Sequence, residues 1–341
     1  MPELHDPFTS SLLGTPAPSG SEGAITALIG DWATRHLSWA EISYDAVGNL
    51  YLHVPGPGTR TMACAHVDEI GLVVCEVEDG FARVQPIGAL DPRLLHARRV
   101  EVHAAEGTVF GTVHHSGRPV HLATPDELRE APDFTHFFVD LEGGREGVRV
   151  GDRVTFAAGV TAAGTTLTGR ALDNRAGVLA LLEALERLGP APACDLWAVF
   201  TVQEELGGRG ARAAVQRLSP DIALIVDAVP SGDIPGLVAL DCPTRLGGGP
   251  VLVLGHGGLY NSHYLSQQVR DRFAGRLQPV FLGSGVSEAN AIQQAAPQVA
   301  TVHLGVPVRY LHSPFEKIHL EDLLALAGVL RQILGEGALG G

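Results

Sequence analysis

The sequence contains no run of about 18 apolar residues, the length a membrane-spanning helix needs, so no membrane partner is expected. Basic charge is in deficit: a formal net charge of −14 leaves no basic face for phosphate and excludes nucleic acid as a partner. The start, Met1-Pro2-Glu3-Leu4-His5-Asp6, lacks the basic residues and apolar core of a secretion signal, and a cytoplasmic protein is expected. Cysteines number four, Cys64, Cys75, Cys194 and Cys242, and none forms a C-x-x-C pair. Three lie in apolar, strand-like surroundings, so they read as buried thiols without a redox or metal role.

What remains is a globular composition. The chain has 341 residues, 45% hydrophobic and 18% charged, enough for a large core and two domains. A helix is expected over Ala24–Leu37, where Ile25, Leu28, Ile29, Trp32 and Ala33 recur at helical spacing. Strands follow around Ala40–Tyr44, Asn49–Val54 and Thr61–His66. From Ile70 to Thr168 the apolar stretches are short and broken by Gly, Pro and charge, which predicts a small all-β unit. Within it, Ala123–Thr135 is Pro-rich and polar and reads as a mobile loop.

Beyond Thr168 strands and helices alternate. Helices are expected near Arg175–Leu188, Gly208–Leu218, Ser262–Phe273, Glu288–Gln294 and Leu320–Leu334. Strands are expected at Asp195–Thr201, Ile222–Asp227, Leu237–Leu240, Val251–Leu254, Gln278–Leu282 and Val299–Leu304. This predicts an α/β fold, a mixed sheet sandwiched by helices. The α/β domain is discontinuous, 1–69 and 168–341, with a β-barrel-like insertion over 70–167.

Charged motifs sit where apolar runs stop. They are Ala65-His66-Val67-Asp68-Glu69, Leu172-Asp173-Asn174-Arg175, Gln203-Glu204-Glu205-Leu206, Val226-Asp227-Ala228 and Tyr310-Leu311-His312-Ser313. A charge at a strand end costs free energy unless it is paired or bound to a cation. His66 and Asp68 share one strand face, so one can ligate a cation while the other orients it. Taken singly, each motif has a plain alternative. H-x-D can be a satisfied His beside a surface Asp, Asp173 a helix cap, and Glu204-Glu205 an acidic loop. Arg170 and Arg175 can mark a charge network. Five such features at successive element ends point together to a divalent metal pair and a hydrolase.

In these motifs, and in Gly169-Arg170-Ala171 and Arg309-Tyr310, the chain resembles the M42 metallopeptidases over nearly its whole length. These are aminopeptidases of glutamyl and deblocking type, some relatives of which carry an endoglucanase label. The resemblance implies a zinc-peptidase-like fold and two divalent cations, Zn²⁺ or Co²⁺ foremost, with Mn²⁺ as a further option. By the same resemblance Asp173 bridges them, His66 and Asp227 complete one site, and Glu205 and His312 the other. Glu204 is then the general base toward the attacking water, Asp68 holds His66, and the peptide after Asp173 is cis. Short peptides are the implied substrates. The implied assembly is a homo-oligomer built from dimers, up to a tetrahedral dodecamer, with the β insertion serving contacts between subunits.

The chain departs from the family at Val286-Ser287-Glu288-Ala289, where relatives read Gly-Thr-Asp-Ala. One extra methylene at Glu288 bears on substrate preference more than on the cation ligands. Gly247-Gly248-Gly249-Pro250 is either a cleft segment or a flexible turn. Three other readings stay open at this level. One is an amidohydrolase or carboxypeptidase acting on N-acyl amino acids, another a polysaccharide hydrolase using two carboxylates, and the last a non-catalytic metal-binding assembly protein.

Overall fold

Seven residues from Arg60 to His66 show why the centre of this protein is a sheet: Thr61 to His66 are all buried, on both faces of one strand. Such a strand survives only between other strands and beneath helices on both sides. The computed structural model describes residues 7–127, 129, 132–143 and 147–337. The Met1–Asp6 segment and residues 128, 130 and 131 of the expected polar loop lie outside the described residues.

The chain begins α1 (Pro7–Gly14), α2 (Gly23–His36), β1 (Glu41–Tyr44), β2 (Leu50–Val54) and β3 (Arg60–His66). Next come β4 (Gly71–Glu78), β5 (Phe81–Ile87), β6 (Arg98–Ala104), β7 (Gly107–His115), β8 (Phe137–Leu141) and β9 (Arg153–Phe156). The short strands β10 (Thr161–Ala163) and β11 (Thr166–Gly169) lead into α3 (Leu172–Leu188). Then follow β12 (Asp195–Thr201), α4 (Arg209–Leu218), β13 (Ile222–Pro230), β14 (Val251–His256), β15 (Leu259–Tyr260) and α5 (His263–Arg272). The chain closes with β16 (Gln278–Leu282), α6 (Glu288–Ala295), β17 (Ala300–Val308), β18 (Glu316–His319) and α7 (Leu320–Glu336).

The main sheet has nine strands in the order β1-β2-β12-β3-β13-β17-β14-β15, with β16 also on β14. Its centre, β12, β3, β13 and β17, is parallel, while β2 and β14 join it antiparallel. The sheet is therefore mixed, as the sequence predicts. Alternation along the strands divides two cores. Ala63, Ala65, Leu224, Val226, Val302 and Leu304 face α2, α3 and α7. Met62, Cys64, Ala223 and Ile225 face α4 and α6. Helix α3 carries seven consecutive buried residues from Ala176 to Leu182, and each fully buried Leu contributes about 1.5–3 kcal/mol.

Strands β4, β5, β8, β7, β6 and β9 close into a barrel with its own apolar core, including Val84, Val100, Val113, Phe137 and Val139. Strands β10 and β11 form a separate three-stranded sheet with β18, which returns the chain to the start of α3.

Three expectations are corrected. Leu237–Leu240 is no strand: Gly236 takes φ +94°, the backbone turns through Leu237 N–H to the Ile234 carbonyl, and Leu240 is exposed. Cys75 is exposed, because the β4–β5 register shifts between Val74 and Glu76 and turns that residue outward. Asp227 does not end its strand, since β13 runs on to Pro230. The described residues of Ala123–Thr135 form a loop with turns, the last two beginning a 3₁₀ turn at Phe134–His136. No helix among the described residues is long and apolar enough to cross a membrane.

Candidate metal centre

Parallel strands deliver their C-terminal ends to one edge, and ligands bind such folds there. Register makes the delivery specific. Thr201 of β12 lies opposite His66 of β3, and Ile225 of β13 opposite Cys64, which brings Asp227 level with His66. Gly305 is the β17 partner of Asp227, and a Cβ there would stand 2.6 Å from the Asp227 carbonyl oxygen, so only glycine fits. Asp173 comes from elsewhere. It is placed by β11 and the start of α3, where Ala171 is left-handed at φ 56° and the Asp173–Asn174 peptide is cis. Gln203, Tyr310 and His312 also adopt positive φ, between 56° and 60°. Non-glycine residues in this region concentrate at functional sites.

All seven residues singled out in the sequence come together. His66 Nε2 lies 3.0 Å from Asp173 Oδ1 and 3.4 Å from Asp227 Oδ1. His312 Nε2 lies 3.4 Å from Asp173 Oδ2 and 3.2 Å from Glu205 Oε1. Two donor groups result, His66/Asp173/Asp227 and Asp173/Glu205/His312, each with ligand atoms within 4.8 Å of one another. Asp173 belongs to both, with one oxygen turned to each histidine. Both imidazoles present Nε2 inward because Nδ1 is engaged behind: His66 with the Asp68 carbonyl at 3.2 Å, His312 with the Ala89 carbonyl at 2.8 Å.

Asp68 does more than the sequence suggested. Its Oδ1 accepts the Glu204 N–H at 2.9 Å and its Oδ2 the Glu205 N–H at 3.0 Å, so one buried carboxylate hangs both glutamates from the strand end beside His66. Glu22 secures the same turn, accepting the Gln203 N–H at 3.1 Å.

The electrostatics of the cluster are those of a surplus of carboxylate. Burial pushes Glu204 well above the ordinary carboxylate value, helped by Asp227, Glu205 and Asp68, and burial likewise raises Glu205. Burial opposes the His312 imidazolium, yet hydrogen bonds with Asp173 and Glu205 push it up to about 12. Asp173 is held far down, because its bonds to His312 and His66 outweigh its own burial. The residues therefore suit a cation pair: surplus negative charge, N/O donors of borderline hardness, and imidazoles already oriented. Such donors favour Zn²⁺, Co²⁺ or Mn²⁺ over soft metals.

Several participants escaped sequence reasoning. Glu316 accepts the Asp173 N–H at 2.9 Å and the His312 N–H at 2.8 Å, joining the two donor groups from behind. Its only sequence signal was nearness to His312. Ala89 belongs to the loop after β5 of the barrel, and Gly88 beside it would bring a Cβ within 2.8 Å of Glu205 Oε2. Barrel and sheet thus build one site. Arg170 and Arg175 do form a charge network, though around Glu69: Arg170 Nη1 donates to Glu69, and Arg175 Nη2 stands 3.5 Å from it. Glu288 lies behind His66, taking the Thr201 hydroxyl at 2.5 Å, and burial raises its carboxyl to about 7. The Gly247–Gly249 turn is pinned through its N–H groups to Asp322 at 2.7 and 2.8 Å, and it does not line the cavity beside the centre.

That cavity has a volume of about 490 Å³ and includes His66, Asp173, Glu204, Glu205, Asp227 and His312 in its walls. The M42 glutamyl aminopeptidase family model matches residues 48–328. Lysyl aminopeptidase of Pyrococcus furiosus is 31% identical over 83% of this chain and 83% of its own. Aminopeptidase APDkam598 of Desulfurococcus kamchatkensis superposes with a TM-score of 0.89 at 31% identity, covering 96% of this chain and 93% of that one. The Pyrococcus horikoshii TET1 peptidase, described as assembling into a tetrahedron or a large octahedral shell, gives 0.82 at 27% identity, covering 96% and 98%.

Proposed function

The chain belongs to the M42 glutamyl aminopeptidase family, and from that premise we propose that it releases single N-terminal residues from short peptides at a dinuclear metal centre. The observation that carries this reading is Asp173, whose two oxygens face different histidines, His66 at 3.0 Å and His312 at 3.4 Å, as a bridging carboxylate must. His66, Asp173 and Asp227 would hold one cation, and Asp173, Glu205 and His312 the other. When bound, such a pair supplies Lewis acidity toward a peptide carbonyl and toward water.

Glu204 carries the proton. Its carboxylate takes one from the attacking water and returns it to the departing amine, and its high proton affinity among buried carboxylates suits that task. Asp68 fixes where Glu204 stands, and the Ala89 carbonyl fixes the His312 tautomer. The cavity walls hold the peptide end and limit access of bulk water. By likeness to the TET1 peptidase the protein forms a homo-oligomer, with the inserted barrel of β4 to β9 as a contact unit. An insertion that donates Ala89 to the site would couple assembly to the geometry of His312.

The test is metal analysis joined to a substrate panel. About two divalent cations per chain are expected, with cleavage of aminoacyl-anilides abolished by chelation and restored by Zn²⁺ or Co²⁺. N-acetylated analogues should be inert. Equal cleavage of acetylated and free substrates would replace this reading with an amidohydrolase, and chelator-insensitive turnover would remove the metal.

A further inference from the structure

The segment Val286-Ser287-Glu288-Ala289, where the chain departs from its family, divides in space. Glu288 lies behind His66 and takes no part in the cavity wall, whereas Val286 and Ser287 line it. Val286 is apolar, yet 74% of it is accessible. Its place is fixed from both sides. The Gly285 carbonyl accepts His256 Nδ1–H at 3.0 Å, the Ser287 hydroxyl meets His256 Nε2 at 3.1 Å, and the Ser287 N–H donates to Asn290 Oδ1 at 2.9 Å. An exposed valine between two anchored residues is a preformed apolar surface on the cavity rim.

Two leucines continue that surface. Leu282 ends β16 opposite His256 and packs on the cluster of Val229, Val251, Val253 and Val280. Leu311, from the segment that carries His312, packs on the main core instead. Each is half-buried and lines the cavity, so two separate cores hold its apolar sides in place. No Lys or Arg occurs among the described lining residues, and every carboxylate there belongs to the metal centre. Arg309, three residues before His312, is engaged by Asp233, with Nε 2.8 Å from Oδ1. A charged side chain entering this wall would shed water and meet no free opposite charge, whereas an apolar one covers leucine and valine surface.

We propose that Leu282, Val286 and Leu311 form the subsite for the first side chain of the peptide, and that this subsite selects apolar residues of leucine or methionine size over charged ones. This rests on the aminopeptidase reading and adds the substrate class to it. Neither the glutamyl name of the family nor the lysyl name of the Pyrococcus furiosus relative describes such a preference.

The experiment uses the full-length, metal-loaded protein with aminoacyl-coumarin substrates of Leu, Met, Ala, Glu and Lys. In the parent protein, kcat/KM for Leu and for Met should exceed that for Ala, Glu and Lys by about tenfold or more. Leu282→Ala should lower the Leu-to-Ala ratio about tenfold, a change that a general loss of fold, acting on both substrates alike, does not produce. Val286→Arg, at an exposed position with room for a long side chain, should raise the Glu-to-Leu ratio about tenfold or more. A parent protein that cleaves Glu or Lys as well as Leu overturns the proposal without any variant. An unchanged Leu-to-Ala ratio in Leu282→Ala overturns it too, and should that variant fail to fold, an unchanged Glu-to-Leu ratio in Val286→Arg does so. These results leave the aminopeptidase reading intact, whereas no turnover of any free-amine substrate overturns the two together.

Discussion

Replacing Asp68 by Asn tests how the centre is held, because volume is kept and only the hydrogen-bonding pattern changes. Both Asp68 oxygens accept buried backbone N–H groups, at 2.9 Å from Glu204 and 3.0 Å from Glu205, and Oδ1 lies 3.5 Å from His66 Nδ1. In Asp68→Asn one acceptor becomes an NH₂ donor, so one N–H faces another donor in a fully buried place. An unsatisfied buried donor costs about 1–3 kcal/mol, and bonds to a charged acceptor are about twice as strong as neutral ones. A destabilisation of about 2–4 kcal/mol is expected, read by equilibrium urea unfolding of the metal-stripped protein.

The same variant should lose about ten- to a hundredfold in cation affinity or turnover, since Glu204 and Glu205 hang from this carboxylate. It should also alter acid unfolding. Burial disfavours the Asp68 charge, yet His66 and the two N–H groups more than offset this and hold its value below the usual 3.8. A depressed folded value contributes stability that is complete above the unfolded value and lost as pH falls through the folded one. Parent and variant curves should therefore converge as pH falls below the ordinary Asp value. If Asp68→Asn unfolds within about 0.5 kcal/mol of the parent and binds Zn²⁺ equally well, the clamp argument is wrong.

Other substitutions probe separate parts. Glu204→Gln should keep both cations by metal analysis but lose about a hundred- to ten-thousandfold in kcat, whereas Glu205→Ala should fail to retain its cation. Normal turnover by Glu204→Gln would displace Glu204 as the base. Glu288 has its carboxyl raised from 4.5 to about 7, so the folded chain holds a proton the unfolded chain releases, and stability falls as pH rises between those values. Glu288→Gln should flatten that slope and stabilise the metal-stripped protein by about 3 kcal/mol at pH 8, seen in pH-dependent urea midpoints; a parallel shift at all pH would contradict it. Arg170→Ala leaves Glu69 buried with the Ala17 N–H at 2.8 Å and the Arg175 contact at 3.5 Å, and a loss of about 3 kcal/mol or more is expected by thermal unfolding. A loss confined to about half that size would mean that Arg175 and the Ala17 N–H suffice for Glu69.

Most regular elements were legible because their signals are local. The period of α2 and the apolar runs of β3, β12 and β13 state their own structure, and β12 and β16 match the expected ranges residue for residue. Short elements were not: α1, β11 and β18 carry too few residues for a period and exist because other parts of the chain cover or pair with them. The Leu237–Leu240 run shows the reverse error, where β-like composition lacks a partner strand and the chain turns instead.

At the centre the same division holds. Residue chemistry and the stopping of apolar runs singled out His66, Asp68, Asp173, Glu204, Glu205, Asp227 and His312 as candidates, while their separate roles came only with the family resemblance. Sequence could not show that the Ala89 carbonyl crosses from the barrel to His312, that Glu316 joins two backbone N–H groups, or that Leu282 and Leu311 line one cavity. A carbonyl has no signature in a sequence, and a leucine reads as core. Which residues carry the chemistry was set by the order of amino acids. How they are aimed was decided by register between strands and by the packing of the barrel against the sheet, which depend on contacts between residues far apart in the chain.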